Sequence, residues 1–285
     1  MASVSPPTVS SPIHSLTLPH RAGSLCDVAW SPSGTCLASV SSSGWVFVWE
    51  ISTGELLQQK QVTRVPLLSV AWARGGSFLA VGCQKGILRM LDEQLAVRAI
   101  HPFPSPITRI AWSPHVVGAC VIVAGQRVTV LREENQATRI FRYQSAVLDA
   151  AWSGDGRQIA ILCADGLVEI WHARTFRLTH QFHAAPMTGG SLLWEQGCRT
   201  MVVMECTGTV RSYPLPDLLV AASSHHATTP PAFPWGEGVG SRGRPVRDPS
   251  GRYLASPGPH TVLLYPVASP DLPHGHEAVV PAIHS

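Results

Sequence analysis

A tryptophan that precedes a short turn recurs along the chain at intervals of 40 to 42 residues, with a longer interval of 53 before the last repeat. A second bulky residue follows each of these positions, 19 residues later in five repeats and 18 later in the sixth. The first members are Trp30, Trp72, Trp112, Trp152, Trp194 and, with Arg in place of Trp, Arg247; the second members are Trp49, Leu91, Leu131, Trp171, Tyr213 and Tyr265. A period near 40 with constant internal spacing is typical of a small antiparallel sheet repeated around an axis.

The first repeat shows what each unit contains. An apolar strand ends at Trp30, and the following Ser-Pro-Ser-Gly sequence favours a tight turn. Three further strands are predicted over residues 35–40, 45–49 and 56–62, separated by two more Ser- and Gly-containing turns. Three turns in about 40 residues leave no room for helices. The sequence therefore predicts an all-β propeller with six detectable four-stranded blades, and a count of seven stays open.

The ends of the repeat array predict how the propeller closes. The last repeat supplies only three strands, whereas residues 13–18 before the first repeat have strand patterning and no blade of their own. Pairing this segment with the last blade removes two exposed sheet edges at once. We therefore predict one propeller domain over residues 13–268, between a disordered tail at residues 1–12 and a flexible tail at residues 269–285.

Composition narrows the class of protein. Apolar residues make up 45% of the chain and charged residues only 14%, with a net charge of +3 that is spread along the sequence. This charge does not predict a nucleic-acid-binding protein. The seven cysteines are scattered and odd in number, which favours small core residues in a reducing compartment over disulfides. No secretory signal or membrane-spanning run is found, so we expect an intracellular protein.

Motifs for catalysis or cofactors are weak. Residues 238–243 match the Gly-x-Gly-x-x-Gly pattern, but no predicted strand precedes them and no helix follows to present its N-terminus to a phosphate. The histidine pairs at 180/183, 225/226 and 274/276 lack acidic or thiol partners at ligand spacing. We predict no catalytic residue, no cofactor and no metal, and therefore a protein that is not an enzyme.

The repeats resemble those of the WD40-repeat family over roughly residues 13–268. The resemblance rests on the strand-turn spacing above and on the Asp165-Gly166 turn before Trp171. In that family a repeat ends in Trp-Asp, and a buried Asp–His–Ser/Thr–Trp hydrogen-bond network supports each blade. Only Trp49-Glu50 and Trp171-His172 approach the Trp-Asp pair here, so the network is expected to be mostly absent, with apolar packing in its place.

An insert at residues 214–246 interrupts the repeat and is rich in Pro and Gly. Its aromatic residues Phe233 and Trp235, together with Arg242 and Arg244, are candidate partner-binding residues, because aromatics and arginines are frequent interface anchors. The alternative is a disordered connection whose Trp235 folds back over a blade edge, and a contact between the arginines and RNA or phosphate is a third possibility.

The resemblance implies a non-enzymatic scaffold that mediates protein–protein interactions within a larger, multi-subunit assembly. Residues 152–256 also resemble the later repeats of the aladin-type nucleoporins, on Trp171-His172 and on the Asp248-Pro249 turn that follows a Gly-rich insert. That resemblance implies a subunit of the nuclear pore complex at the nuclear envelope; otherwise the location would be cytoplasmic or nuclear. An adaptor that reads a peptide or RNA through a propeller rim is the main alternative, and an enzyme with a loop-built site is a further one.

Overall fold

The computed structural model describes residues 14–17, 23–132, 136–194, 200–205, 210–215, 246–250, 253–258 and 260–266. All regular secondary structure in these ranges is β-strand, arranged as six antiparallel sheets. This arrangement confirms the predicted all-β propeller. Within the described ranges, no helix has the length and apolar character needed to cross a membrane.

Each sheet is one blade whose strands pair in chain order, apart from the sixth. Blade 1 contains β2 (Leu25–Trp30), β3 (Cys36–Ser41), β4 (Trp45–Glu50) and β5 (Leu56–Gln61), and blade 2 contains β6 (Leu67–Trp72), β7 (Leu79–Cys83), β8 (Ile87–Leu91) and β9 (Val97–Pro102). Blade 3 contains β10 (Ile107–Trp112), β11 (Cys120–Ala124), β12 (Arg127–Arg132) and β13 (Gln136–Arg142), and blade 4 contains β14 (Val147–Trp152), β15 (Gln158–Cys163), β16 (Leu167–His172) and β17 (Leu178–His183). Blade 5 contains β18 (Gly190–Trp194), β19 (Thr200–Glu205) and β20 (Val210–Pro214), and blade 6 contains β21 (Val246–Arg247), β22 (Tyr253–Pro257), β23 (Thr261–Pro266) and β1 (His14–Thr17).

Burial changes from the inner to the outer strands of a blade, and the sequence follows it. The second strands β7 and β11 are buried at every residue, because neighbouring blades cover both of their faces. They are accordingly continuous apolar or small-residue runs. The outer strands β5 and β9 are mostly exposed and carry Gln, Lys, Arg and His. Five clusters of buried apolar side chains in the described residues each lie between two adjacent blades.

The N-terminal strand completes the last blade, as the sequence predicts. Strand β1 pairs antiparallel with β23, with His14 opposite Leu264 and Thr17 opposite Thr261. Leu16 is buried in the cluster between blades 6 and 1, where it joins Trp30. The closing strand therefore belongs to the core and not only to an edge.

In blades 1 to 5 the tryptophan at the end of the first strand ties its blade to the preceding one. Its indole N–H donates a hydrogen bond to the backbone carbonyl of the residue just before the equivalent position in the neighbouring blade. The pairs are Trp30 to Val246 (3.0 Å), Trp72 to Ala29 (3.2 Å), Trp112 to Ala71 (3.3 Å), Trp152 to Ala111 (3.0 Å) and Trp194 to Ala151 (3.3 Å). We call this series the tryptophan ladder. It explains why the period is carried by Trp and not by another bulky residue.

A bulge near the start of the first strand adds a second link between blades. The register shifts between Leu25 and Asp27 and at the equivalent places in blades 2, 3 and 4. Such a bulge redirects a side chain. The Asp27 carboxylate then accepts a hydrogen bond from the Val70 backbone N–H of blade 2 (3.0 Å), and Asp149 accepts one from the Leu192 N–H of blade 5 (2.7 Å).

The second bulky residue of each repeat is supported differently in different blades. In blades 2 and 3, Leu91 and Leu131 are buried among apolar side chains, as predicted. In blades 1 and 4 the second bulky residue packs in an apolar cluster and also donates a hydrogen bond. Trp49 donates to the Ser39 hydroxyl (2.9 Å), and Trp171 donates to the Glu169 carboxylate (3.0 Å). The reason is that an indole N–H in the interior must find an acceptor, whereas a leucine carries no such requirement.

Several predicted boundaries lie outside the described residues. The tails at residues 1–12 and 269–285 are among them. Of the insert at residues 214–246, the structure describes residues 214, 215 and 246, at the end of β20 and the start of β21.

Candidate interaction surfaces

The partner-binding residues predicted from the sequence, Phe233, Trp235, Arg242 and Arg244, lie outside the described residues, and so does the glycine motif at 238–243. Their role stays a prediction. His180 and His183 lie on the outer strand of blade 4. Over the described part of the chain, no group of three or more His, Cys, Asp or Glu side chains is arranged to hold a metal ion.

The connections between strands form two rims. On the first rim lie the turns from first to second strand and from third to fourth strand of each blade. On the second rim lie the turns from second to third strand and the connections from one blade to the next. Loops on a rigid frame are the usual place for binding residues.

The first rim carries most of the exposed apolar side chains. Nine large apolar residues in the described chain are exposed, and seven of these lie on turns or strand ends of this rim. The seven, which we call the apolar rim, are Leu57, Phe78, Val97, Val116, Val117, Leu178 and Tyr253. Val117 is the most open, at 77% exposed. A concentration of exposed apolar residues on one side is typical of a protein contact surface.

Hydrogen bonds between blades fix the turns of the apolar rim. The Arg74 guanidinium of blade 2 donates to the His115 carbonyl of blade 3 (2.5 Å), and a His115 ring nitrogen lies 3.0 Å from the Gly154 carbonyl of blade 4. The Ser113 hydroxyl accepts a bond from the Val116 N–H (3.0 Å). The apolar side chains are therefore presented on turns that are already ordered, which lowers the entropy cost of docking.

A groove of about 340 Å³ lies between blades 1 and 2 and opens onto the same rim. Its walls include Val48, Trp72 and Leu79, with Leu57 among its lining residues. Asp92, also in the lining, forms an ion pair with Arg98 (2.5 Å), and its pKa is lowered mainly by the hydrogen bond from the Ala96 backbone N–H. The volume of the groove lies at the lower end of the range for small-molecule pockets and is large enough for a bulky side chain of a partner.

The second rim carries cations in place of apolar residues. Over blades 1 to 3 it holds five exposed basic side chains on turns and strand ends: Lys60, Arg64, Lys85, Arg127 and Arg142. We call these five residues the basic rim. None of them forms a salt bridge within the described chain. The two rims therefore differ in the kind of partner that each could bind.

Sequence reasoning missed both rims because each is assembled from turns about 40 residues apart. One signal was visible for the apolar rim: blade 3 has Val116-Val117 in the turn where blade 1 has Ser33-Gly34. Two valines in a turn are unusual, since turns favour Gly, Pro, Asn, Asp and Ser. For the basic rim, the signal was the repeated placement of Lys or Arg around second turns, which the low overall charge obscured.

Comparison with known proteins agrees with this geometry. The profile of the anaphase-promoting complex subunit 4 WD40 domain matches residues 110–197, and that of the WD domain, G-beta repeat, matches residues 10–50. A solved structure, the Cps50 (Swd1) β-propeller domain of Myceliophteria thermophila, aligns with a TM-score of 0.63 over 85% of this chain and 82% of that one, at 17% identity. At this identity the likeness concerns the fold alone.

Curated relatives share part of the sequence. WD repeat-containing protein slp1 of Schizosaccharomyces pombe is 28% identical over 141 residues, which are 46% of this chain and 28% of that protein. Anaphase-promoting complex subunit cdh1 of Dictyostelium discoideum is 23% identical over 159 residues, 52% of this chain and 20% of that protein. Periodic tryptophan protein 2 homolog of Caenorhabditis elegans is 25% identical over 181 residues, 63% and 16% respectively. The chain thus spans less than a third of each of these relatives.

Proposed function

We propose that this chain, a WD40-type β-propeller, is a non-enzymatic scaffold that holds a partner protein on its apolar rim within a larger assembly. The observation that carries the proposal is the segregation of the surface: seven of the nine exposed large apolar residues in the described chain lie on one rim. Solvent-exposed side chains of this kind are stabilised when a partner covers them.

The composition of the apolar rim fits protein contact. Phe78 and Tyr253 supply aromatic area, and aromatic residues are enriched in the energetically dominant part of interfaces. Leu57 lines the groove between blades 1 and 2 together with Val48 and Leu79, so a partner side chain placed there would meet apolar atoms around it. Charged side chains lie nearby, such as Glu93 in the turn before β9 and Arg98 in β9, as expected of a polar border.

The relatives support an assembly role. Two similar proteins, subunit cdh1 and the WD40 domain of subunit 4, are named as parts of the anaphase-promoting complex, and Cps50 (Swd1) is similar in fold. Because the chain spans only a fraction of its curated relatives, the identity of its own assembly does not follow from theirs. The non-enzymatic part of the proposal rests on the family and on the chemistry of the described rims, which offer contact area and charge.

The test compares two double variants of the tagged full chain. In the rim variant, Val97→Asp is combined with Val117→Asp. In the control variant, Ile100→Asp is combined with Ile140→Asp; these two residues are the exposed large apolar residues that lie outside the apolar rim, on outer strands β9 and β13. Exposure and charge change are thus closely matched, and thermal melts establish that both variants are folded.

We expect affinity purification with quantitative mass spectrometry to show at least a tenfold loss of one or more partners for the rim variant. The control variant should keep the partners of the wild type. An unchanged partner set in the rim variant would contradict the proposal. If sedimentation instead shows that the wild type is a dimer and the rim variant a monomer, the apolar rim contacts a second copy of the chain and not another protein.

The aladin-like role in the nuclear pore remains a prediction, and the comparisons above lend it no support. The prediction rests on the resemblance of residues 152–256 to the later repeats of the aladin-type nucleoporins. Fluorescence microscopy of a tagged chain tests it: a signal confined to the nuclear rim supports it, and a diffuse signal speaks against it.

A further inference from the structure

The basic rim is a second surface feature that the proposed function does not use, and it lies on the opposite side of the propeller from the apolar rim. Its five cations belong to three adjacent blades. Lys60 and Arg142 lie at the ends of outer strands, Arg64 lies in the connection between blades 1 and 2, and Lys85 and Arg127 lie at the turns between second and third strands. All five side chains are exposed.

Carboxylates do not balance this charge within the described part of blades 1 to 3. In the described residues of these blades, the second rim has one carboxylate, which belongs to Asp27. This side chain is 5% exposed and accepts a hydrogen bond from the Val70 N–H. The next carboxylates around the ring are Asp149, Asp165 and Glu169, and they belong to blade 4. Asp149 is buried and lies 3.1 Å from the Arg109 guanidinium. The positive field is therefore open to solvent over three blades and ends at blade 4.

Arg127 and Arg142 form the centre of the basic rim. They stand directly opposite each other in the register of β12 and β13, at the open end of this hairpin, where the Tyr143 N–H donates to the Gln126 carbonyl (3.0 Å). Like charges in directly opposed positions repel each other and destabilise a sheet. An anion bound between them replaces this repulsion with attraction to both charges. Two guanidinium groups side by side suit a carboxylate, which accepts paired N–H donors.

We propose that the basic rim binds an acidic segment of a partner protein, with Arg127 and Arg142 holding its central carboxylates and Lys60, Arg64 and Lys85 extending the contact over blades 1 and 2. A span of three blades requires an extended segment with several Asp or Glu residues. Because the charges are exposed, the interaction is strongest at low ionic strength and its association rate depends on salt.

The rim favours an acidic peptide over single-stranded nucleic acid. Binding of single strands uses aromatic side chains on which bases stack. The aromatic residues on this part of the described rim are Trp45, Phe103 and Tyr143, and all three are half-buried. The Tyr143 hydroxyl donates to Glu169 (2.8 Å), and Trp45 stacks on Phe47 at 6.1 Å between ring centroids. The rim therefore offers charge without a stacking surface.

The experiment uses the full chain and a fluorescent peptide of ten glutamates, with binding measured by anisotropy at about 50 mM and about 200 mM salt. The test variant is Arg127→Glu with Arg142→Glu. The matched control is Arg174→Glu with Arg177→Glu, because these two exposed arginines lie on the opposite rim of blade 4 and the net charge changes equally.

We expect the test variant to lose at least tenfold in affinity and the control to lose less than about twofold, with weaker binding of the wild type at the higher salt. Equal losses in the two variants would overturn the proposal, because only net charge would then matter. A second result would also overturn the proposal: the wild type does not bind the peptide but binds a single-stranded oligonucleotide, and the test variant loses affinity for that oligonucleotide. Loss of this binding leaves the apolar-rim partners unaffected, so the two proposals fail separately.

Discussion

The inner frame of the propeller and its two rims are held by different kinds of contact. In the frame, each tryptophan of the ladder is packed between blades and donates to a carbonyl of the neighbouring blade, so its position depends on two blades at once. On the rims, side chains such as Val117 and Arg127 project into solvent from turns that are already ordered. The difference shows that stability and recognition reside in separate residues of each repeat. Substitutions should therefore separate the two properties.

The strongest test of the frame removes the closing strand. Deleting residues 1–18 takes away β1, uncovers the edge of β23 and removes Leu16 from the core between blades 6 and 1. We expect a loss of roughly 5 kcal/mol, or about 10–20 °C in melting temperature, in a single cooperative transition. Deleting residues 1–12 keeps β1 and serves as the control. Equal melts for the two deletions would show that the closing strand contributes nothing to the frame.

A smaller effect is expected within the tryptophan ladder. Trp152 is 8% exposed and donates to Ala111 of blade 3. Trp152→Ala should cost about 3–5 kcal/mol in denaturant unfolding, because it leaves a cavity. Trp152→Phe keeps most of the ring but leaves the carbonyl without its donor, at about 1–2 kcal/mol. Val117→Ala on the apolar rim should cost less than about 0.5 kcal/mol. If Val117→Ala lowers the free energy of unfolding as much as Trp152→Phe does, the separation of stability and recognition between frame and rim is contradicted.

The smallest effect at neutral pH concerns a buried thiol. Burial raises the pKa of Cys120 from an ordinary value of 9.0 to about 12. The folded state therefore keeps this proton, and its contribution to stability is complete below pH 9 and is lost as the pH rises from 9 to about 12. We expect Cys120→Ala to flatten the decline of the unfolding free energy over this interval.

Val121→Ala is the control for that measurement, because the neighbouring Val121 is also fully buried but has no proton to lose. It should lower stability by a similar amount at every pH. If Cys120→Ala and Val121→Ala give parallel curves between pH 9 and 11, the thiol is not the source of the alkaline decline.

Most of the frame could be predicted from the sequence. The Trp period identified the blades, and the unpaired segment at residues 13–18 identified the closing strand, because both signals lie within short stretches of chain. The partners of Trp49 and Trp171 could not be read in the same way. Ser39 and Glu169 become acceptors only through strand register and side-chain direction, which a repeat pattern does not encode.

The rims were out of reach for a related reason. Phe78, Val97 and Val117 are separated in the chain and share one rim because equivalent turns and strand ends of the blades lie on one side. Single exposed apolar residues are common on proteins and carry little meaning alone. The sequence instead predicts a contact at the compositionally unusual insert with Phe233 and Trp235. Which exposed residues share a surface of a propeller follows only from the rim on which each turn lies.

The pairing of β1 with β23 also fixes where attachments to the propeller emerge. Strand β23 ends at Pro266 and β1 begins at His14, and antiparallel pairing brings these two ends together at blade 6, on the side of the apolar rim. A fluorescent protein or an affinity handle fused before residue 14 or after residue 266 would stand beside Tyr253 and compete for space with a docked partner. A handle inserted at the exposed Gln126, in the turn between β11 and β12, would leave from the opposite side. Labelling position is thus a variable in its own right for any capture experiment on this chain.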